Sequence, residues 1–260
     1  MIKVLKYSFY DLIRSRWSYV YLLFYLVLGF ALLFLNSSVS KSVITLMNII
    51  IVLTPMIGTI FGIMYYYSSR EFTELLLAQP IRRNTIFLGQ YFGVSLSLAL
   101  SLIIGLGIPF IFYGVLQSSE IMNFVLLLIS GTFLTFIFVA LAYNIGLRNE
   151  NKIKGFGYAI LIWLLMAVIY DGLFLISLIV FEDYPLDKFT LLGTMLNPID
   201  LSRILILLKL DISALLGYTG AVFQKFFGTN MGIVSSIGIL MVWTLIPVYF
   251  IIRFASKKDF

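Results

Sequence analysis

Side chains that usually carry chemistry are scarce in this sequence. It has no cysteine and no histidine. That removes disulfides, thiolate nucleophiles, Ser-His-Asp hydrolysis, histidine–zinc sites and histidine-ligated haem. A membrane-embedded enzyme would have to work with acids, Lys, Ser or Tyr alone, and no nucleophile–base pair stands out. There is no G-x-x-x-x-G-K-[ST] phosphate loop and no H-E-x-x-H, so ATP binding by that route and zinc hydrolysis are excluded for this chain. The methionines, among them Met56, Met64, Met166 and Met241, could offer soft sulfur to a metal. They are scattered without a pairing pattern and read as packing residues. The sequence therefore points to no catalytic residue, metal site or cofactor of its own. What remains is three small groups: Asp171 with the amides Asn48 and Asn144, inside apolar runs; Glu71, Phe72, Glu74, Leu75, Leu76, Gln79, Arg82 and Arg83, in one short polar stretch; and Asn197, Asp200 and Arg203, in the segment NPIDLSR.

The elements that must position these groups are set by lipid. Of the 260 residues 61% are apolar and 12% charged, against about 25% charged in a soluble domain, and the mean hydropathy is +1.05. A spanning helix needs about 20 mostly apolar residues. Six runs qualify, at 17–35, 43–67, 85–113, 121–147, 155–181 and 231–252. Each is apolar all round, as lipid demands when every backbone group is bonded within its own helix. Pro109 should bend the third near one end. The segment 201–227 is also apolar, but Arg203, Lys209, Asp211 and Lys225 divide it. Its uncharged piece, 212–224, suits an interfacial or re-entrant helix, with Gly217 and Gly220 marking a break. The expected fold is an all-α membrane protein of one polytopic domain, 1–260.

Basic residues orient it. Lys41, Lys188, Arg203, Lys209 and Lys225 fall on one side, leaving 13 of the 18 Lys and Arg on the other. The richer side holds both ends and the 68–84 and 148–154 loops and is expected to be cytoplasmic. The net charge of +6 is then topological and needs no nucleic acid. The first apolar run is too long for a signal core and no small-residue cleavage site follows it, so it is expected to be retained.

Residues 1–16 place Ile2, Leu5, Phe9, Leu12 and Ile13 on one helical face and Lys3, Lys6, Tyr10 and Arg14 beside the opposite one. This is an amphipathic helix at the lipid surface, either a simple anchor or an elbow that moves span one. In the 68–84 loop, SSREFTELLLAQPIRRN, Ser68 and Glu71 make a possible capping box, Phe72, Leu75 and Leu76 an apolar patch, and Pro80 a stop. Such a helix is either a docking peg for a soluble partner or rests on lipid. The external mass lies at 182–230. There Asp200 can cap a helix that begins at Leu201 and pair with Arg203 three residues on, serving as a plain cap or as a gate.

Asp171 is the one charge inside a span, about 15 Å from its outer end at helical rise. It should face protein or water. It either hydrogen-bonds across helices, for instance to Asn48 or Asn144, or lines a pathway. Gly58/Gly62 and Gly89/Gly93 allow close helix approach, more within the protomer than across a dimer seam.

A basic amphipathic start, six spans, a helix between spans two and three and a re-entrant region before span six together resemble the ABC-2 type exporter permeases. The carrying segments are ELLLAQPIRRNTIFLGQYFG (74–93), YDGLFLISLIVFED (170–183) and LNPIDLSR (196–203). Within that family the sequence is most similar to the permeases that serve nitrous oxide reductase maturation. The resemblance implies a homodimer working with two copies of a separate ATPase (NosF-like), which holds the ATP and Mg. The 71–79 helix would couple to that ATPase. Spans one, two and five would line the central path near Asp171. The external helices would face a periplasmic β-helix protein (NosD-like). The implied role is delivery of a sulfur species or copper for copper-centre assembly. The lack of Cys and His favours a sulfur cargo or mechanical signalling to that partner. Two alternatives stand beside it: an ABC-2 permease for a lipid or a gliding-machinery component, and a stand-alone carrier or channel. The carrier would need more ionisable groups in its spans than Asp171.

Overall fold

A computed structural model describes residues 1–36, 39–118, 120–181, 184, 186–209 and 217–257, without the side chains of 208–209, 217–221, 223–230 and 257. The described residues are helical and contain no strand. In chain order the helices are α1 (Ile2–Arg14), α2 (Arg16–Leu35), α3 (Val39–Ser68), α4 (Arg70–Leu77), α5 (Arg83–Phe112), α6 (Ile121–Arg148), α7 (Lys152–Leu164), α8 (Tyr170–Val180), α9 (Asp187–Met195), α10 (Pro198–Lys209) and α11 (Gly217–Lys257). A π-helical turn, Leu165–Ile169, joins α7 to α8. Among the described residues six helical stretches are long and apolar enough to cross a membrane: α2, α3, α5, α6, α7–α8 and the 231–256 part of α11. Helices α9 and α10 form a pair bent by 111°, each too short to cross alone.

Helices α5 and α6 sit at the centre. Two thirds of the α5 apolar window is buried, against 6% for α7–α8. Small residues let the helices close up, as expected where lipid gives no hydrophobic drive between them. A Cβ on Gly62 would lie 2.9 Å from the Ala142 Cβ of α6, and one on Gly105 2.8 Å from Tyr25 of α2. Polar side chains then cross-link the bundle. Tyr25 bonds Thr54 at 3.0 Å, Tyr91 donates to the Phe136 carbonyl at 3.2 Å, and Trp243 donates to the Met195 carbonyl at 3.0 Å. Each such bond in apolar surroundings contributes about 1 kcal/mol. Gly114, with φ of 77°, turns the chain out of α5, the left-handed position glycine fills at no steric cost.

Helix α1 has three faces rather than two. Val4, Ser8 and Leu12 are buried, and Gly89 and Gly93 of α5 receive them: a Cβ there would lie 2.9 Å from Val4 and 2.7 Å from Ser8. That glycine pair therefore seats α1, within the protomer. Leu5, Phe9 and Ile13 are half-buried, while Lys3, Lys6, Tyr10 and Arg14 are exposed. Ile2, expected on the apolar face, is 77% exposed, because the docked line runs one position round the helix from it. At Ser15 the backbone turns extended, and its side chain accepts from the Trp17 amide as α2 begins.

Three local expectations are corrected. The expected break at Gly217 and Gly220 is absent, since α11 starts at Gly217 and runs 41 residues without interruption. A helical glycine costs only about 1 kcal/mol, less than freeing a backbone amide in apolar surroundings. Residues 210–216, with Asp211, lie outside the described residues, as do Glu182, Asp183 and Lys258. Ser68 caps nothing: it is the last residue of α3, and its hydroxyl donates to the Tyr65 carbonyl at 3.2 Å. The chain enters α4 one residue later, through Ser69, with no extended residue whose side chain could reach the first amides. Lastly, α10 begins at Pro198, so Asn197 is its cap rather than Asp200. The Ile199 amide donates to Asn197 Oδ1 at 3.1 Å. Proline at the first helical position fixes that start, since its missing N–H has no partner to lose.

Candidate functional site

Two sites lie at opposite ends of the bundle. At one end α4 bridges α3 and α5. Its sequence REFTELLL puts Thr73 inward, where it is buried and accepts from Gln90 Nε2 of α5 at 2.8 Å. Phe72 stacks on Tyr7 of α1, with ring centroids 4.4 Å apart, worth about 1 kcal/mol beyond the area buried. Leu76 is half-buried. Glu71, Glu74, Leu75 and Gln79 point away from the bundle, and Leu75 is 68% exposed. Glu74 accepts from Arg70 Nε at 2.9 Å. Arg82 is exposed at the start of α5, and Arg83, also exposed, opens its first turn. Of the residues singled out in this loop, Phe72 and Leu76 thus hold α4 on the protein. Glu71, Glu74, Leu75, Gln79, Arg82 and Arg83 form an outward surface of mixed charge around one bare leucine.

At the other end, a polar cluster ties α8 to the α9–α10 pair. Arg203 Nη1 lies 3.3 Å from Asp171 Oδ2 and 3.3 Å from Asp200 Oδ1. Asn197 Nδ2 donates to Asp200 Oδ2 at 2.8 Å and to the Met166 carbonyl of the π turn at 2.9 Å. Tyr170 donates to the Gly193 carbonyl at 2.5 Å. Burial pushes the Asp200 carboxyl up to about 6, and the neighbouring Asp171 carboxylate adds to it; Arg203 and the Asn197 hydrogen bond act the other way. Asn197 and Asp200 are almost wholly buried, and the Arg203 and Asp171 side chains are 28% and 30% exposed. These residues therefore fasten one element to another and leave only the Arg203–Asp171 edge to the outside.

The expected bond from Asp171 to Asn48 or Asn144 is not formed. Asn144 Nδ2 instead donates to the Ala140 and Pro247 carbonyls at 2.9 and 2.8 Å, joining α6 to α11. Asn48 lies on the exposed side of α3. Arg203 wins Asp171 because an ion pair in a poorly hydrated place outweighs a neutral amide contact. Five contributors were not singled out from the sequence: Thr73, Gln90, Tyr7, Tyr170 and the Met166 carbonyl. Tyr7 was legible as an aromatic on the polar face of α1. The carbonyl had no signal, because a π turn has no short motif.

No protein-family model matches the chain. It is 28% identical over 241 residues to the probable ABC transporter permease protein NosY of Stutzerimonas stutzeri, covering 86% of this chain and 82% of that protein. It is 26% identical over 221 residues to the protein of the same name from Pseudomonas aeruginosa, covering 78% of this chain and 80% of that one. Over most of its length, then, the chain is NosY-like, similar to permeases of ABC transporters.

Proposed function

We propose that this chain is the non-catalytic membrane subunit of an ABC transporter of the exporter-like ABC-2 type, working as a homodimer in a bacterial inner membrane with both ends cytoplasmic. A separate ATPase, NosF-like, hydrolyses ATP and docks on α4. The observation that carries this reading is the division of α4. One face is locked to α5 and α1 by Thr73 and Phe72. The other offers Glu71, Glu74, Leu75 and Gln79 outward. A short helix held this way transmits a push from outside into α5 directly and into α1 ahead of span one. The similarity over most of the chain to proteins named as permeases supports the same reading. At the far end, the α9–α10 pair faces a periplasmic partner of β-helix type, NosD-like, and the Asp171–Arg203 edge borders the path. The cargo is a sulfur species, or copper, for the copper centres of nitrous oxide reductase. Sulfur is favoured because the chain has no Cys or His to relay copper.

Charge reversal at Glu71 and Glu74 tests the docking. The double Glu→Lys variant should assemble normally in the membrane, yet capture the co-expressed ATPase roughly tenfold less well. Undiminished capture and ATPase stimulation would remove α4 as the docking point. Purification from native membranes should bring down both the ATPase and the periplasmic protein.

A further inference from the structure

A crevice of about 210 Å³ opens between α6, α7 and α11, at the end of the bundle that carries α4. Its walls are apolar, from Ile162 of α7 and Trp243, Pro247 and Phe250 of α11. Two polar residues of α6 interrupt them. Arg148, in the last turn of α6, stands at the mouth with its guanidinium 4.0 Å over the Phe254 ring. Among the described residues no carboxylate lies within ion-pair distance of it. Asn144, one turn deeper, is more than nine-tenths buried. Its amide nitrogen already serves the Ala140 and Pro247 carbonyls, and its Oδ1 accepts from nothing described.

We infer that this crevice is a binding site for an anionic glycerophospholipid of the leaflet at that end. A cation without a carboxylate partner, set above an apolar slot between two peripheral helices, matches the amphiphile it would meet in the bilayer. The phosphate pairs with Arg148, whose stack on Phe254 leaves the edge N–H groups free to donate. The upper acyl chain lies along Ile162, Trp243 and Phe250. The slot is about 10 Å tall, from Leu141 to Arg148 at helical rise, which accommodates a glycerol backbone and the first methylenes. Asn144 Oδ1 lies at backbone depth, where the esterified glycerol offers no hydroxyl, and takes a water carried with the phosphate. Lys152 and Lys154 at the start of α7 add to the local positive potential. A zwitterionic lipid offers Arg148 no net charge and fits less well. The bound lipid wedges between α6, α7 and α11 and so links the composition of the membrane to the packing of span five.

The full chain is purified in detergent and titrated with phosphatidylglycerol, phosphatidylcholine or free glycerol phosphate, and retained lipid is counted by native mass spectrometry. Phosphatidylglycerol should be retained over phosphatidylcholine, and glycerol phosphate should not compete. Arg148→Gln should weaken phosphatidylglycerol retention about fivefold, the equivalent of about 1 kcal/mol per basic residue at a membrane surface. Arg148→Lys should restore most of it, and Arg253→Gln, an exposed cation of α11, should change nothing. Ile162→Trp fills the slot with Arg148 intact and should abolish retention, which keeps the test decisive if Arg148→Gln folds poorly. Equal retention of the two lipids, retention that survives Ile162→Trp, or full competition by glycerol phosphate would each overturn the site.

Discussion

Arg203 has two carboxylates at 3.3 Å and one positive charge to divide between them. Asp200 is the more buried of the two acids, and its raised value has a pH consequence. A carboxyl whose folded pKa lies above its unfolded one binds more protons in the fold. Its contribution is therefore favourable at low pH and is lost as pH rises from about 4 to about 6, with no further change above that. The difference between the 3.8 of a free carboxyl and about 6 sets a ceiling on the order of 3 kcal/mol. Thermal unfolding of the wild type and Asp200→Asn at pH 4 and pH 6 reads it. The wild type should lose stability relative to the variant across that interval, and parallel curves would show that Asp200 does not titrate there. The cluster was half legible. Asp200 and Arg203 are three residues apart in sequence, and helical spacing brings them together. Arg203 and Asp171 are 32 residues apart, so no local spacing brings them together. Asn197-Pro198 carried the information on the cap, because proline favours the first helical position and so points to the residue before it.

Among the elements, α1 departs most from what its pattern suggests. Hydrophobic periodicity separates apolar from polar and cannot tell lipid from protein. The two glycines on α5 hold that distinction, since their missing side chains make the seat for Val4 and Ser8. Gly93→Ala would put a Cβ 2.7 Å from Ser8 Cβ and 3.0 Å from the backbone of Leu5 and Phe9. Backbone cannot rotate aside, so α1 should lift from α5 at a cost of about 1–3 kcal/mol. Hydrogen exchange across residues 2–14 should then quicken, while Gly107→Ala, with nothing within 4 Å, should leave it unchanged. Unaltered exchange in Gly93→Ala would mean that the seat is not what holds α1. Because Tyr7 stacks on Phe72, loosening α1 also loosens α4. The unbroken α11 and the π turn were not legible for a shared reason. Both depend on the cost of freeing backbone groups in apolar surroundings, and residue propensity reports that poorly.

For the whole molecule, composition and run length did most of the work. Six runs of lipid-compatible length are visible in the sequence, and six long apolar helices are found among the described residues. Their ends shift by a few residues because helices continue past the last apolar residue, as α3 does by starting at Val39. An even number of crossings puts both chain ends on one side. Epitope tags at residues 1 and 260 should therefore share the same protease protection in sealed vesicles, and opposite protection would mean that the α9–α10 pair crosses as a seventh span. The arrangement also divides span five between two neighbourhoods. Its first half, α7, is held to α3 by Trp163, which donates to the Val52 carbonyl at 3.2 Å. Its second half, α8, is held to α9 and α10 by Tyr170 and Asp171. A π turn carries one residue more than an α turn, so everything beyond Ile169 is rotated by about 100° from where a regular helix would aim it. That angular offset is what brings the Asp171 carboxylate round to Arg203. The α9–α10 hairpin is thus keyed to the winding of a single turn within span five, and twisting that turn would swing the hairpin as a crank swings its handle.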